Sequence, residues 1–292
     1  MSAPVPDPTV DHFGPGGMRR FEVTSPLGIT LPSPSRLYLE EVGVPLHVGP
    51  YFTSAKQSDS LPLGVFAEHS GMPRPASGAE TWLRIGTDGL AQVCVRPDGA
   101  VQVVLPGFEE PDMFASSDVR LFGSALAVLD RRMSVIAAST SLPVAAAGFR
   151  ELNAELRQMD PEAFVERESW WPRVLDDVRH TLNFPFSAAF EYLDASGRKQ
   201  VATEATGPGR AHPEELLWQR LAAEGVRPQQ VRKVYCELEP CMMPGHYCAV
   251  WLQSTFPQAE FTHSFDYGSD AQSREDGLKG LITSAAQQAR NQ

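Results

Sequence analysis

The sequence predicts two domains, an α+β domain over residues 1–182 and an α/β domain over residues 183–292 with the element order ββαβαβα. Three observations carry this expectation. Residues 81–107 contain short β-rich runs closed by Gly and Asp turns, and helical patterns follow them; the α+β class of this part is what the family resemblance given below implies. After "NFPFS" (183–187) strands alternate with helices instead. With 292 residues, 42% of them hydrophobic, the chain has enough apolar side chains for one large core or two ordinary ones.

Residues 1–17, rich in Pro and Gly, are expected to be irregular. "SRLYLEEVGVP" (35–45) reads as a short helix stopped by Gly43 and Pro45. "TWLRIG", "AQVCVRP" and "AVQVVLPG" form a meander, with Cys94 as strand core. A helix then starts at Ser116 or Ser117, both good N-cap residues, with Phe122, Leu126 and Leu129 at helical spacing. Phe149, Leu152, Leu156 and Met159 mark one further helix face, and Trp171, Leu175, Val178 and Leu182 another. Between them Asp160 and Pro161 open a turn of helix. The second domain begins with a pair of strands flanking the turn Asp194–Gly197. The helix "HPEELLWQRLAAEGV", the strand "QVRKVYCELE", a helix ending near "WLQSTFP", the strand "AEFTHSF" and a last helix "REDGLKGLITSAAQQA" complete the order. The chain has no internal repeat and no low-complexity tract.

The net charge of −11 is unevenly spread. Residues 184–292 hold 10 Lys/Arg against 13 Asp/Glu, which leaves about −8 on the first 183 residues. Non-specific binding to nucleic acid needs clustered positive charge, so the acidic first domain suits a basic protein partner better. No run of about 18–20 apolar residues could span a membrane. The opening residues lack a basic segment followed by an apolar one, so a cytoplasmic protein without a secretory signal is expected. Four cysteines in a chain of this size do not make a disulfide framework, and three of them fall between 235 and 248, which points to a metal or to catalysis.

"YLEEVGVP", "VGPYFT", the strand end at Ile85 and Gly86, and "MFASSDVRLFGSALAVLD" resemble the SUKH superfamily of bacterial immunity proteins, in particular its fourth subgroup, over roughly residues 15–182. The resemblance implies an α+β domain that binds and blocks a toxin, here a basic one.

His212-Pro213-Glu214 opens one helix of the second domain, and Pro240-Cys241 follows the next strand, with Cys248 seven residues on. A His-x-Glu followed by Pro-Cys-x-x-Cys is the signature of zinc-dependent base deaminases. Here the downstream half reads Pro-Cys-x6-Cys. The segment is similar to the toxin-associated branch of the nucleic acid/nucleotide deaminase superfamily over residues 184–292. That resemblance implies a three-layer cytidine deaminase-like fold and a hydrolase acting on a cyclic amidine. His212, Cys241 and Cys248 would be the zinc ligands and Glu214 the catalytic acid–base. An imidazole and two thiolates leave the fourth position of a tetrahedral site open. Glu214, two residues after His212, can face that position without ligating. Pro213 suits the first helical turn, and a Cys241 at or near a helix start would have its thiolate favoured by the dipole.

In a continuous helix, residues seven apart lie about 10 Å apart along the axis, too far to share one zinc. Pro244 and Gly245 argue instead that "MMPGHY" is a loop returning Cys248 at the true helix start. His246 within that loop and Cys236 on the strand stand as alternatives to Cys248; Cys236 also reads as buried strand core. Phe265 and Tyr267, after the next strand, are candidates to stack on or read a base, and equally core aromatics. The substrate would be a free nucleotide or a single-stranded nucleic acid, cytosine or adenine alike. A protein of another class also fits: an immunity or interaction protein whose deaminase-like half no longer turns over.

Overall fold

The computed structural model describes residues 7–23, 29–56, 61–108, 111–183 and 185–290. Two compact units divide it: residues 1–135 with 148–172, and residues 136–147 with 173–292. The boundary expected from sequence, between 182 and 183, falls ten residues beyond the last of the three points at which the chain passes from one unit to the other.

The first unit opens with α1 (Pro8–Phe13), capped by Asp7, whose carboxylate accepts from the Thr9 N–H, and continues through a 3-10 turn at Pro15–Gly17. The expected irregularity of residues 1–17 is therefore corrected for residues 7–17, where prolines at the first helical positions start turns rather than prevent them; residues 1–6 lie outside the described residues. Strand β1 (Met18–Arg19) pairs with β2 (Val44–Pro45), which follows α2 (Ser33–Glu41). The N–H groups of Val42 and Gly43 both return to the Tyr38 carbonyl and end that helix.

A six-stranded sheet follows, in the order β3 (His47–Val48), β4 (Phe52–Ser54), β5 (Leu83–Asp88), β6 (Ala91–Val95), β7 (Val101–Val104) and β8 (Met113–Ser116), with α3 (Leu63–Ser70) between β4 and β5. The expected meander is β5–β7, every pair antiparallel. At Gly86, beside a register shift in β5, a Cβ would sit 2.5 Å from the Phe52 ring and 2.6 Å from the Thr53 carbonyl oxygen, so only glycine lets β4 close on β5 there.

Helices α4 (Val119–Ala137), α5 (Leu142–Met159) and α6 (Trp170–Asn183) follow the sheet. Phe122, Leu126 and Leu129 are fully buried, as their spacing predicts. The start of α4 needs correction, because Ser116 ends β8 and the cap is Asp118, whose carboxylate accepts from the Arg120 and Leu121 N–H groups. Ser116 and Ser117 instead serve Asp160. That buried carboxylate accepts from Ser116 Oγ at 2.6 Å, Ser117 N at 2.8 Å and Ser117 Oγ at 2.9 Å. An aromatic group joins Phe52, Phe122, Trp170 and Trp171, and the Trp170 indole donates to Asp88 at 2.6 Å.

The second unit realises the expected ββαβαβα order in β9 (Ser187–Leu193), β10 (Lys199–Ala205), α7 (Pro213–Ala223), β11 (Val231–Leu238), α8 (Cys248–Thr255), β12 (Glu260–Phe265) and α9 (Ala271–Arg290). The sheet order is β10-β9-β11-β12, antiparallel except for the β11–β12 pair. Alternate residues Ala188 and Phe190 of β9 and Val234, Cys236 and Leu238 of β11 are buried with Leu217 and Leu221 of α7 in one core. Two parallel strands need a crossover, and α8 supplies it, so β11 and β12 end side by side with Leu238 opposite Phe265.

Replacing Asp160 by Ala leaves three donors around it without their acceptor and is expected to cost about 2–3 kcal/mol, the scale of hydrogen bonds to a charged group. Urea unfolding monitored by tryptophan fluorescence measures it, and an unchanged midpoint would remove Asp160 from the structural account.

Candidate metal centre

The chemistry gathers where the parallel strands end, the position at which open α/β sheets hold their ligands. Cys241 lies three residues beyond β11 and Tyr267 two residues beyond β12. Glu239 ties the two exits together: its N–H donates to the Phe265 carbonyl at 2.8 Å, and its carboxylate accepts from the Tyr267 and Gly268 N–H groups at 3.0 and 3.2 Å. Helix α9 packs closely on the β12 exit because residue 277 is glycine; a Cβ there would lie 1.9 Å from the Asp266 carbonyl oxygen.

Between Cys241 and Cys248 the chain is a loop, as Pro244 and Gly245 predict. His246 and Tyr247 donate their N–H groups to the Met243 carbonyl, Gly245 and Tyr247 take left-handed backbone angles, and Cys248 is the first residue of α8. Cys241 is thus not at a helix start, and the dipole argument for its thiolate is corrected; its carbonyl instead accepts from the Ala249 N–H at 3.0 Å. His212 caps α7, with Pro213 next, and its backbone N–H donates to Glu215 at 3.0 Å.

The loop and this helix start bring three side chains to one point. His212 Nδ1 lies 3.4 Å from both Cys241 Sγ and Cys248 Sγ, and all three residues are buried. They form a group that could hold a metal ion. All four cysteines are free thiols, and Cys94 is strand core as expected. The opposite ring nitrogen, His212 Nε2, lies 2.9 Å from Asp177 Oδ1. A carboxylate only accepts, so this nitrogen carries a proton, while Nδ1 faces the sulfurs. His246 stacks on His212 with ring centroids 3.9 Å apart, and it bonds Glu215 at 2.7 Å and the second oxygen of Asp177 at 3.2 Å. Asp177, His212 and His246 form a second group of possible metal ligands. Its contacts are at hydrogen-bond lengths, and it draws on the His212 nitrogen opposite to the one facing the thiols.

The electrostatics follow from these contacts. Burial opposes the charge on Asp177, but the two imidazoles beside it outweigh that and hold its carboxyl far below the usual range. Burial and the His212 charge oppose protonation of His246, yet Asp177 and Glu215 push it up to about 9. Burial likewise resists a thiolate at Cys241, but a hydrogen bond from Cys248 and the His212 ring hold its pKa well below that of a free thiol, while burial and the Cys241 charge raise Cys248. His212, between Cys241 and Asp177, is raised despite its burial.

Glu214 is buried beside this group, and its Oε2 has no hydrogen-bond partner among the described residues. Burial raises its pKa. The Cys236 thiol hydrogen-bonds to Glu214, and burial together with that carboxylate raises the thiol's pKa, so Cys236 serves the glutamate and stands outside the converging sulfurs. Glu214, His212, Cys241, Tyr267, His180, Phe186, Leu238 and Glu239 line a cavity of about 10 Å³, the space of one water. Tyr267 is buried there, its hydroxyl bonded to His180 Nδ1. Phe265 does not line the cavity and packs toward Gly280 of α9. Of the residues around the centre, Asp177, His180 and Glu239 carried no motif, and only proximity in space identifies them; Glu215 had one local signal, its place in "HPEE".

Two family models match the chain. The Xanthomonas-like deaminase family matches residues 185–284, a span that holds His212, Glu214, Cys241 and Cys248 but not Asp177 or His180. No curated protein and no solved structure matches. The SUKH-4 immunity protein family matches residues 7–177, more than half of the 292 residues, and the chain belongs to that family, with a deaminase-like C-terminal domain.

Proposed function

We propose that the C-terminal domain is a zinc-dependent nucleobase deaminase in a protein of a bacterial toxin–immunity system, acting in the cytoplasm. The observation that carries this reading is the unpartnered carboxylate oxygen of buried Glu214 at a water-sized cavity beside His212 and Cys241. The donor set fits zinc. Bonds of about 2.0 Å to nitrogen and 2.3 Å to sulfur in a tetrahedron separate the ligand atoms by about 3.5 Å, close to the 3.4 Å from His212 Nδ1 to each sulfur. Zinc held by His212, Cys241 and Cys248 would supply Lewis acidity at its open fourth position, enough to bring a water's pKa to about 7.

The chain's own residues then divide the work. Glu214 moves two protons in turn at Oε2, one from the attacking water to a ring nitrogen and a second from the newly added hydroxyl to the leaving amine, which departs as ammonia as the carbonyl forms; its raised pKa suits a group that must carry a proton between steps. Of the two aromatic candidates, Tyr267 lines the cavity and is assigned the substrate contact, with Phe265 as its support. The substrate class is a nucleotide or a single-stranded nucleic acid, because the chain from 184 onward carries 10 basic against 13 acidic residues and has little to offer a duplex. Residues 1–182, taken as the immunity domain, bind a basic toxin through their excess of acidic side chains. A second reading, a binding protein without turnover, draws on the closure of the cavity by the Tyr267–His180 bond.

Purified protein is expected to hold about one zinc per chain, with His212→Ala, Cys241→Ala and Cys248→Ala each losing it; elemental analysis decides. Zinc retained in the Cys248 variant would move that ligand to His246 or Cys236. Binding displaces protons from His212 and Cys248, both of which are raised, so affinity should strengthen as pH rises from about 6 to 8.

Glu214→Gln keeps the shape and removes the base. Zinc content should stay at the wild-type level, while ammonia release over a panel of nucleosides, nucleotides and single-stranded DNA and RNA falls by about 10²-fold or more. An active wild type whose Gln variant keeps its rate rejects the mechanism, and a wild type inactive on the whole panel favours the binding protein.

Association of the full chain with a basic toxin domain should slow as salt rises from about 0.05 to 0.5 M, because the Debye length shrinks over that range. A salt-independent rate, followed by stopped flow, would remove electrostatic steering from the account.

A further inference from the structure

The centre has a wall that the deaminase match leaves out. Helix α6 turns Arg173, Asp177 and His180 to one face, at spacings of four and three residues. Each meets a different region of the site. The Arg173 guanidinium donates to the Met242 carbonyl at 2.5 Å, next to Cys241. Asp177 takes His212 on one oxygen and His246 on the other, and His180 meets Tyr267. Arg173, Asp177 and His180 are all buried. Their helix precedes residues 185–284, and Asp177 is the last residue of the SUKH-4 match at 7–177.

We infer that Asp177 is the positioning residue of the metal centre: through the Nε2–H of His212 it fixes the ring so that Nδ1 faces Cys241 and Cys248, which makes α6 from Arg173 onward a working part of the deaminase-like unit. This rests on the metal reading above. The hydrogen bond decides between two tautomers. Without an acceptor at Nε2, the His212 proton can settle on Nδ1, where it blocks the atom that must ligate. His246, held between Asp177 and Glu215, keeps the Asp177 carboxylate from rotating away from His212. An ordinary helix carboxylate would face solvent or a neighbouring base, as Asp176 does with Arg179 and Arg274.

The test uses the full-length chain and zinc alone. Chelator competition should show zinc affinity falling about 10–100-fold in Asp177→Asn and Asp177→Ala, the usual scale for removing a residue that orients a ligand. Asp176→Asn, which removes a neighbouring charge from the same helix, should match wild type. Proton and nitrogen-15 NMR of zinc-loaded wild type should find a low-field, slowly exchanging His212 Nε2–H, the mark of a hydrogen bond to a carboxylate, which a ring oriented by the metal alone would not show. Affinity unchanged in Asp177→Asn, equal losses in the Asp176 and Asp177 variants, or a His212 Nε2–H that exchanges freely would each overturn the inference while leaving the metal reading intact. A wild type that binds no zinc would overturn both. The NMR arm needs no variant, so it decides even if the Ala variant fails to fold.

Discussion

A carboxylate buried in a protein interior is costly unless its charge is answered, and the second unit is organised around one that is answered twice. Asp177 offers one oxygen to His212 and the other to His246. Its position links segments far apart in sequence: α6, the start of α7, and the loop between β11 and α8. The sheet makes this meeting possible. Because β11 and β12 run parallel, both of their exits lie on one side, and Glu239 clamps those exits together. Removing the carboxylate would leave two imidazoles without their shared acceptor, so the cost would spread through every element that it joins.

The second unit was more legible than its site. Strands and helices alternate with ordinary spacing, and turn residues such as Asp194 and Gly197 lie where the chain reverses, with the Gly197 N–H donating to the Asp194 carbonyl. The His-x-Glu and Pro-Cys pieces could be read because local spacing carries them. Asp177 could not, since its partners lie 35 and 69 positions away in the chain and nothing near it distinguishes it from Asp176. In the first unit, Ser116 and Ser117 read as helix caps because serine favours that role. Asp118 took it instead, because its carboxylate reaches the N–H groups of both Arg120 and Leu121. The serines were left for Asp160, a long-range partner that propensity cannot see. Proline misled at α1 for a related reason: it breaks helices in the middle and starts them at the end.

The long Cys-x6-Cys spacing also has a physical account. A shorter spacing would place both cysteines in the first turn of one helix. Here Cys241 stays with the end of β11, and the turn through Gly245 and Tyr247 sets Cys248 at the head of α8. The longer loop brings something a short one would omit, namely His246, whose ring lies parallel to His212 and reaches both Asp177 and Glu215. The insertion therefore lengthens the link between the sulfurs and also supplies a second imidazole to the buried acids.

That second imidazole bears on how the centre tolerates its own charge. On the reading proposed above, consider Asp177, Glu215, Cys241, Cys248, His212 and His246 without a metal. The shifts favour three anions, at Asp177, Glu215 and Cys241, and two cations, at His212 and His246, with Cys248 neutral. When a divalent cation takes the place of the protons on His212 and Cys248, the two charges lost with those protons are the two the metal brings. The net charge of the group is the same in both states. A buried site cannot easily change its total charge, because solvent is not there to answer the difference. An exchange of two protons for one divalent ion avoids that cost, and His246 makes it work by keeping its proton against Asp177 and Glu215 while His212 gives its own up.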